Sequence, residues 1–229
     1  MIVVMQGKVE VKDVCYGIKD GSNSRTILSN VSFGCDRGVT MISGPSGSGK
    51  TTLLYAIAGL LGTLNQGEVY INNYALYRMK SKERDSYRLK NISMIFQNLN
   101  LFSFMNVEQN ILVSFLAQRE KITKETSDKV SSYLELLGLG QIQKSYLNSL
   151  SGGEQQRVAI IRSIISQPTV LLCDEPIACL DRKNGELFLE QLRKLVLETG
   201  MTTIIVSHDD IVRSYADSVI RIIDGKVIA

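Results

Sequence analysis

The 229-residue chain has three prolines and one histidine, and no run reaching the roughly 18 apolar residues that span a bilayer. With apolar residues at 44% and charged residues at 21%, this composition excludes a proline-rich or disordered polymer. The opening stretch MIVVMQGKVEV has neither a long apolar region nor a small-residue cleavage site. The expectation is a chain that neither enters nor crosses a membrane. A formal net charge of +3 is too small by itself to argue for a nucleic-acid partner. The four cysteines, Cys15, Cys35, Cys173 and Cys179, include no close pair of the metal-binding kind. Small buried thiols in a reducing cytosol are expected.

The length suits one compact unit with a sizeable core and an attached lobe. Charge concentrates in one place. Between Asn73 and Lys90, six basic residues (Arg78, Lys80, Lys82, Arg84, Arg88, Lys90) stand against Glu83 and Asp85. They read as a solvated helix face, the alternative being a surface near anionic lipid or an acidic partner.

GKVEVKDVCYGI alternates as a half-buried strand does, and GVTMISG, GEVYINN and NISMIFQ read as further strands. KTTLLYAIAGLLG has helical spacing with its stop expected at Gly62, and Asn106 to about Leu137 is helical up to Gly138 and Gly140. Another helix is expected from about Gly152 towards Ser166, ended by Gln167-Pro168. TVLLCDEP and TTIIVSH are apolar runs of the kind buried on both faces, separated by the charged helix RKNGELFLEQLRKLVLET. SVIRIIDGKVIA reads as a hairpin turning at Asp224-Gly225. Alternating strands and helices predict a mainly parallel sheet with ligands beyond its C-terminal edge, where Gly44, Asp174, Glu175 and His208 would gather.

GPSGSGKT, from Gly44, fits the phosphate-loop pattern G-x-x-x-x-G-K-S/T completely, after a strand and at a helix start. Its glycines let backbone amides wrap a β-phosphate, Lys50 would reach the β- and γ-phosphates, and the Thr51 hydroxyl would ligate Mg²⁺. The candidate nucleotide contacts are Gly44, Pro45, Ser46, Gly47, Ser48, Gly49, Lys50, Thr51 and Thr52. Asp174 and Glu175 end an apolar strand, where two acids need a cation or donors. Asp174 is the expected metal-side carboxylate and Glu175 the general base. His208 is placed to bond the γ-phosphate or the attacking water, and Gln97 to sense the metal or that water. Tyr16 is a candidate stacking platform for the base, or one more strand tyrosine. A second glycine pair, in LSGGEQQR (Leu150 to Arg157), offers helix N-terminal amides that the same nucleotide does not obviously need.

Taken together, GPSGSGKTT, Gln97, LSGGEQQR, LLCDEP, ACLD and His208 resemble, in order and spacing, the ATP-binding subunits of ABC transporters, over essentially the whole chain. LSGGEQ is the most discriminating part. The resemblance implies an α/β P-loop ATPase with a mainly parallel central sheet, an antiparallel β subdomain and a helical lobe. It also implies one domain over 1–229, with the catalytic core and β subdomain at 1–97 and 159–229 and the lobe at 98–158.

By that resemblance two subunits pack head to tail. Ser151, Gly152 and Gly153 then bind the γ-phosphate of ATP held by the partner, and Asp181 lies on the shared interface. The region around Gln97–Asn110, with Phe102, Phe104 and Met105, would form the groove that takes a helix of a membrane permease. The implied place is cytoplasmic, peripheral on the inner face of the cell membrane, without nucleic acid. Within the family the chain is most similar to the branch serving macrolide export, lipoprotein release and antimicrobial-peptide resistance, so export of a peptide, lipoprotein or hydrophobic drug is expected. The alternative is ATP-dependent regulation of a membrane-linked cell-wall process without transport. An ATPase acting on DNA or ribosomes lacks its usual insertions here, and a small-molecule kinase would leave LSGGEQQR unexplained. Four residues depart from the family pattern: Ile177 and Ala178 before Asp181, and Ile161 and Ser163 after the signature.

Overall fold

The structure is a computed structural model and describes residues 7–20 and 23–228; the expectation for Met1–Gln6 lies outside it. Alternation sets the first element: in β1 (Lys8–Asp20) Val9, Val11 and Val14 are buried while Lys8 and Lys12 are exposed. A bulge with Asp13 at φ 51° absorbs the extra residue between Val11 and Val14. β1 pairs antiparallel with β2 (Asn23–Asp36) and β4 (Gln66–Ile71), and β4 with β5 (Tyr74–Ala75), giving the order β2-β1-β4-β5.

The central sheet holds β3 (Gly38–Ser43), β6 (Ile92–Ile95), β7 (Val170–Asp174), β8 (Thr202–Val206), β9 (Ser218–Ile223) and β10 (Lys226–Ile228), in the order β10-β9-β3-β8-β7-β6. It is parallel from β9 to β6, and β10 returns antiparallel through Asp224-Gly225. Every residue of β7 and β8 is buried, because both faces are covered. Met41, Leu171, Cys173 and Ile205 join one core with α3 (Val107–Ala117), α4 (Lys124–Leu136), α5 (Gly152–Ile164) and α6 (Arg182–Thr199). Ile42, Leu172, Ile204 and Val206 join the other with α1 (Lys50–Ile57) and the antiparallel sheet. The lobe helices thus share a core with one sheet face. Each fully buried Leu or Ile there contributes roughly 1.5–3 kcal/mol.

Several expectations change. α1 closes at Ile57 with Gly59, not Gly62, as its stop: Gly59 at φ 67° donates its N–H to the Ala56 carbonyl and Leu60 N–H donates to that of Tyr55. The stretch from Asn106 to Leu137 is two helices. Asn106 and Gln109 cap α3 reciprocally, Thr123 and Thr126 cap α4, and between them the apolar period lapses, with Leu116 and Ile122 exposed. The basic stretch forms α2 (Ser81–Asn91), but Arg84 is buried over the Tyr77 ring and donates to the Gly62 carbonyl. Cys35 and Cys173 are buried, whereas Cys179 is exposed on the loop after β7 and Cys15 is half-buried. No helix of the described residues is long and apolar enough to cross a membrane.

Candidate functional site

Pairing of Ile42 and of Asp174 with Val206 aligns the ends of β3, β8 and β7, so the loops that follow them open on one edge. After β3 the chain turns at Gly44, where a Cβ would stand 2.0 Å from the Ile222 carbonyl oxygen. Gly47, at φ 79°, faces open space instead. Gly49 precedes α1 without a side-chain cap, which leaves first-turn amides free for an anion. A cleft of about 830 Å³ is lined by residues 45–47 and 49–52, Gln97, Glu175, His208, Arg25 and Ile27.

Lys50 is buried, and its Nζ donates to the carbonyls of Gly44 and Pro45, both at 2.9 Å. These acceptors are neutral, so the ammonium sits beside the cleft without a counter-charge from them. Ser48, buried in the loop, leaves its Oγ unpartnered among the described residues. Thr51 Oγ1 donates to Asp174 Oδ1 at 3.1 Å. Burial pushes the Asp174 carboxyl up and the Glu175 charge adds to this, while the Thr51 hydroxyl and Lys50 oppose it. Two hard oxygen donors side by side, one of them a carboxylate destabilised by burial, fit Mg²⁺. No group of three or more His, Cys, Asp or Glu gathers among the described residues, so phosphate oxygens and water would have to complete such a shell.

Glu175 has φ 47°, a conformation costly for a residue with a side chain, and its N–H bonds the Val206 carbonyl at 2.9 Å. This turn brings Oε1 to 2.8 Å from His208 Nδ1, and Oε2 accepts from Ser207 Oγ at 3.1 Å. A carboxylate only accepts, so His208 Nδ1 carries a proton directed at Glu175, which leaves Nε2 on the side of the ring away from that bond. Gln97 is exposed two residues beyond β6 rather than at its end.

Ser151 caps α5. Its N–H and Oγ–H both donate to Glu154 Oε2, at 2.8 and 2.7 Å, and its Oγ accepts from Glu154 N–H. These bonds hold the Glu154 carboxyl below its usual range. Gly152 is exposed with open space at its Cβ position, whereas a Cβ on Gly153 would stand 3.3 Å from Asn184 Oδ1. Asp181 caps α6 by accepting from Asn184 N–H at 2.9 Å and Nδ2 at 2.6 Å. None of Ser151, Gly152, Gly153 or Asp181 lines the cleft. Nor does Tyr16, which pairs with Leu28 across β1 and β2 and packs half-buried on the second core.

In the expected groove region Phe102 and Phe104 are 38% and 71% exposed, with ring centroids 5.7 Å apart, and Met105 is half-buried. Asn110 fixes them. Fully buried, it accepts from Phe102 N–H and donates to the carbonyls of Phe102, Met105 and Asn106. Arg162 of α5 clamps the same loop by donating to the carbonyls of Leu99 and Asn100. Sequence reasoning missed Arg25, Ile27, Asn110 and Arg162 as groups that shape these surfaces. Only Asn110 had a signal available, as a polar residue among apolar ones inside a helix. The departures fit locally: Ile177 is buried against Gly185 of α6, Ile161 is buried, and Ser163 returns its hydroxyl to the Ile160 carbonyl, while Ala178 is exposed.

Residues 28–178 match the ABC transporter family. The putative hemin import ATP-binding protein HrtA of Staphylococcus aureus (strain MRSA252) is 35% identical, covering 95% of this chain and 97% of that protein. The lipoprotein-releasing system ATP-binding protein LolD of Bacteroides fragilis (strain YCH46) is 36% identical over 93% of this chain and 98% of that protein. The dimeric post-hydrolysis structure of the ATP-binding cassette MJ0796, bound to ADP and Pi, superposes with a TM-score of 0.85 at 32% identity, covering 96% of this chain and 97% of that one.

Proposed function

The chain belongs to the ABC transporter family and is an ATPase that uses ATP with Mg²⁺, and on that premise we propose that two copies close head to tail around two ATP molecules and drive a separate membrane permease. The observation that carries this reading is the separation of the two glycine motifs. The phosphate loop lines its cleft without Ser151, Gly152 or Gly153, while Ser151 and Gly152 stand exposed elsewhere. A second copy would supply them.

In this reading Lys50 exchanges its two loop carbonyls for the β- and γ-phosphates, and the amides of residues 46–52 cradle the β-phosphate. Mg²⁺, when bound, would be held by Thr51 and Asp174, with Gln97 beside it, and would offset charge on the phosphates. Glu175 polarises the attacking water, and His208 orients the Glu175 carboxylate and presents Nε2 to the cleft. Asp181 and Asn184 brace the signature glycines at the shared face. The lobe groove around Gln97–Asn110 takes a permease helix, which places the chain peripherally on the inner face of the membrane. Export is the proposed direction, supported by the likeness to the lipoprotein-releasing LolD; HrtA carries an import name, so direction is read from ATP-dependent flux in vesicles once the permease is in hand.

The deciding measurement for the shared site is light scattering of Glu175→Gln with and without Mg-ATP. The expected mass doubles on adding ATP. A monomer that binds ATP without dimerising overturns the proposal.

A further inference from the structure

A second cavity, of about 310 Å³, lies among α2, β6, the loop after it, α3 and α5. Leu60, Leu89, Ile92, Met94, Phe96 and Phe102 make its walls largely apolar. Two arginines interrupt them. The Arg162 fork is spent on the Leu99 and Asn100 carbonyls, which are neutral. Arg88 is different: its Nε is buried without a hydrogen-bond partner, and its Nη2 has only Asp85, 3.6 Å away and 56% exposed. No aspartate or glutamate is among the described residues lining the cavity.

A wholly apolar helix seated here would strip water from Arg88 and leave its charge answered only by the distant, exposed Asp85, with Nε still unpartnered, which disfavours such an occupant. A headgroup phosphate would answer the charge but leave the apolar walls unfilled. We propose that the occupant is an amphipathic permease helix whose apolar face fills this cavity and which carries one carboxylate, paired with the Arg88 guanidinium. The planar fork accepts a carboxylate through two N–H donors and so fixes the register of the helix in its groove. Partner choice then depends on the position of that acid, since a like charge or an amide there leaves Arg88 unmet. The proposal rests on the permease reading above and names the chemistry of that partner.

The test places the photoreactive residue p-benzoylphenylalanine at Phe104, exposed beside Phe102, in the full chain expressed in its own host. Membranes are irradiated and the attached peptide is sequenced. The expected product is one segment of a polytopic membrane protein bearing an Asp or Glu. Arg88→Glu and Arg88→Gln should each lower the yield by roughly tenfold or more. Replacing the partner acid by Lys should restore it with Arg88→Glu. Melting temperature and unstimulated ATPase of the Arg88 variants, read alongside, should stay near those of the parent. If the segment carries no acid, or the Arg88 variants keep full yield, the charge pairing is overturned while the groove reading survives. Ala117→Trp, which fills the cavity, reports on the groove itself. Unchanged yield in that variant, attachment only to lipid, or no attachment at all overturns the groove reading and the pairing with it.

Discussion

His208 Nδ1 lies 2.8 Å from Glu175 Oε1, and this contact spans 33 positions of sequence to join the ends of two adjacent parallel strands. Ser207 occupies the other carboxylate oxygen, so the acid is held at both ends beside the phosphate loop. Glu175→Gln is expected to lower ATP turnover by roughly 10²–10⁴-fold while leaving ATP binding intact. His208→Ala should also lower kcat, by loosening the carboxylate, with ATP affinity little changed. Single-turnover hydrolysis with a parallel binding measurement separates the two effects. Full turnover in Glu175→Gln removes it from the chemistry.

The separation of the two glycine motifs predicts complementation. Lys50→Ala and Ser151→Ala proteins should each be nearly inactive alone. Mixed, they form dimers in which one intact loop meets one intact signature, and ATPase activity returns. Activity that stays absent on mixing, with dimers confirmed by light scattering, places each site within one chain.

Gly44 and Gly47 stand three residues apart in the loop and should fail differently. Gly44→Ala puts a Cβ 2.0 Å from the Ile222 carbonyl, which is backbone and cannot yield cheaply, so a loss of at least about 2 kcal/mol of stability is expected. Gly47→Ala meets nothing within 4 Å and should cost only about 1–2 kcal/mol for its left-handed backbone. Its methyl projects where the nucleotide must approach, so ATP affinity should fall further than stability does. Denaturant unfolding and ATP titration of both variants check the contrast.

Asn110→Ala leaves the Phe102 amide and the Met105 carbonyl without their side-chain partner, while the carbonyls of Phe102 and Asn106 keep only their backbone bonds from Met105 and residue 110. A loss of roughly 1–3 kcal/mol is expected, with hydrogen exchange rising first in residues 102–106. Exchange that rises uniformly across the lobe instead would show that Asn110 does not act on that loop.

Asp217 accepts two bonds from Arg193 of α6 and one from the Val39 amide at the start of β3. The Arg193 guanidinium holds the Asp217 carboxyl below the usual carboxylate range. A depressed folded value means stability that is present above the unfolded value near 3.9 and lost as pH falls through the folded one. The carboxylate is 44% exposed, so water screens the pair and the contribution is held to about 1 kcal/mol. Asp217→Ala should therefore be less stable than the parent by about that much at pH 7. The gap should close below about pH 4, as measured by urea unfolding. A gap independent of pH would assign the loss to packing.

The phosphate loop, the buried strands β7 and β8 and the acid pair ending β7 were legible because each is a local pattern. A loop needs its glycines where it turns, and a strand covered on both faces reads as an unbroken apolar run. The break between α3 and α4 was also written locally, in the Asn106 and Thr123 caps, but the apolar residues on either side masked it. The end of α1 was misplaced because Gly59 and Gly62 are equal candidates by residue type, and only the hydrogen bonds at Gly59 choose between them.

Residue order alone determined that this chain grips a triphosphate, since a cradle of backbone amides is encoded by neighbours in sequence. Tertiary structure decided the rest: that His208 meets Glu175, that Arg25 and Ile27 line the cleft beside the phosphate loop, and that Arg162 of α5 clamps the loop after β6. These are contacts between segments distant along the chain. Their distances follow from how whole faces pack and how strands register, and side-chain type at one position carries no record of either.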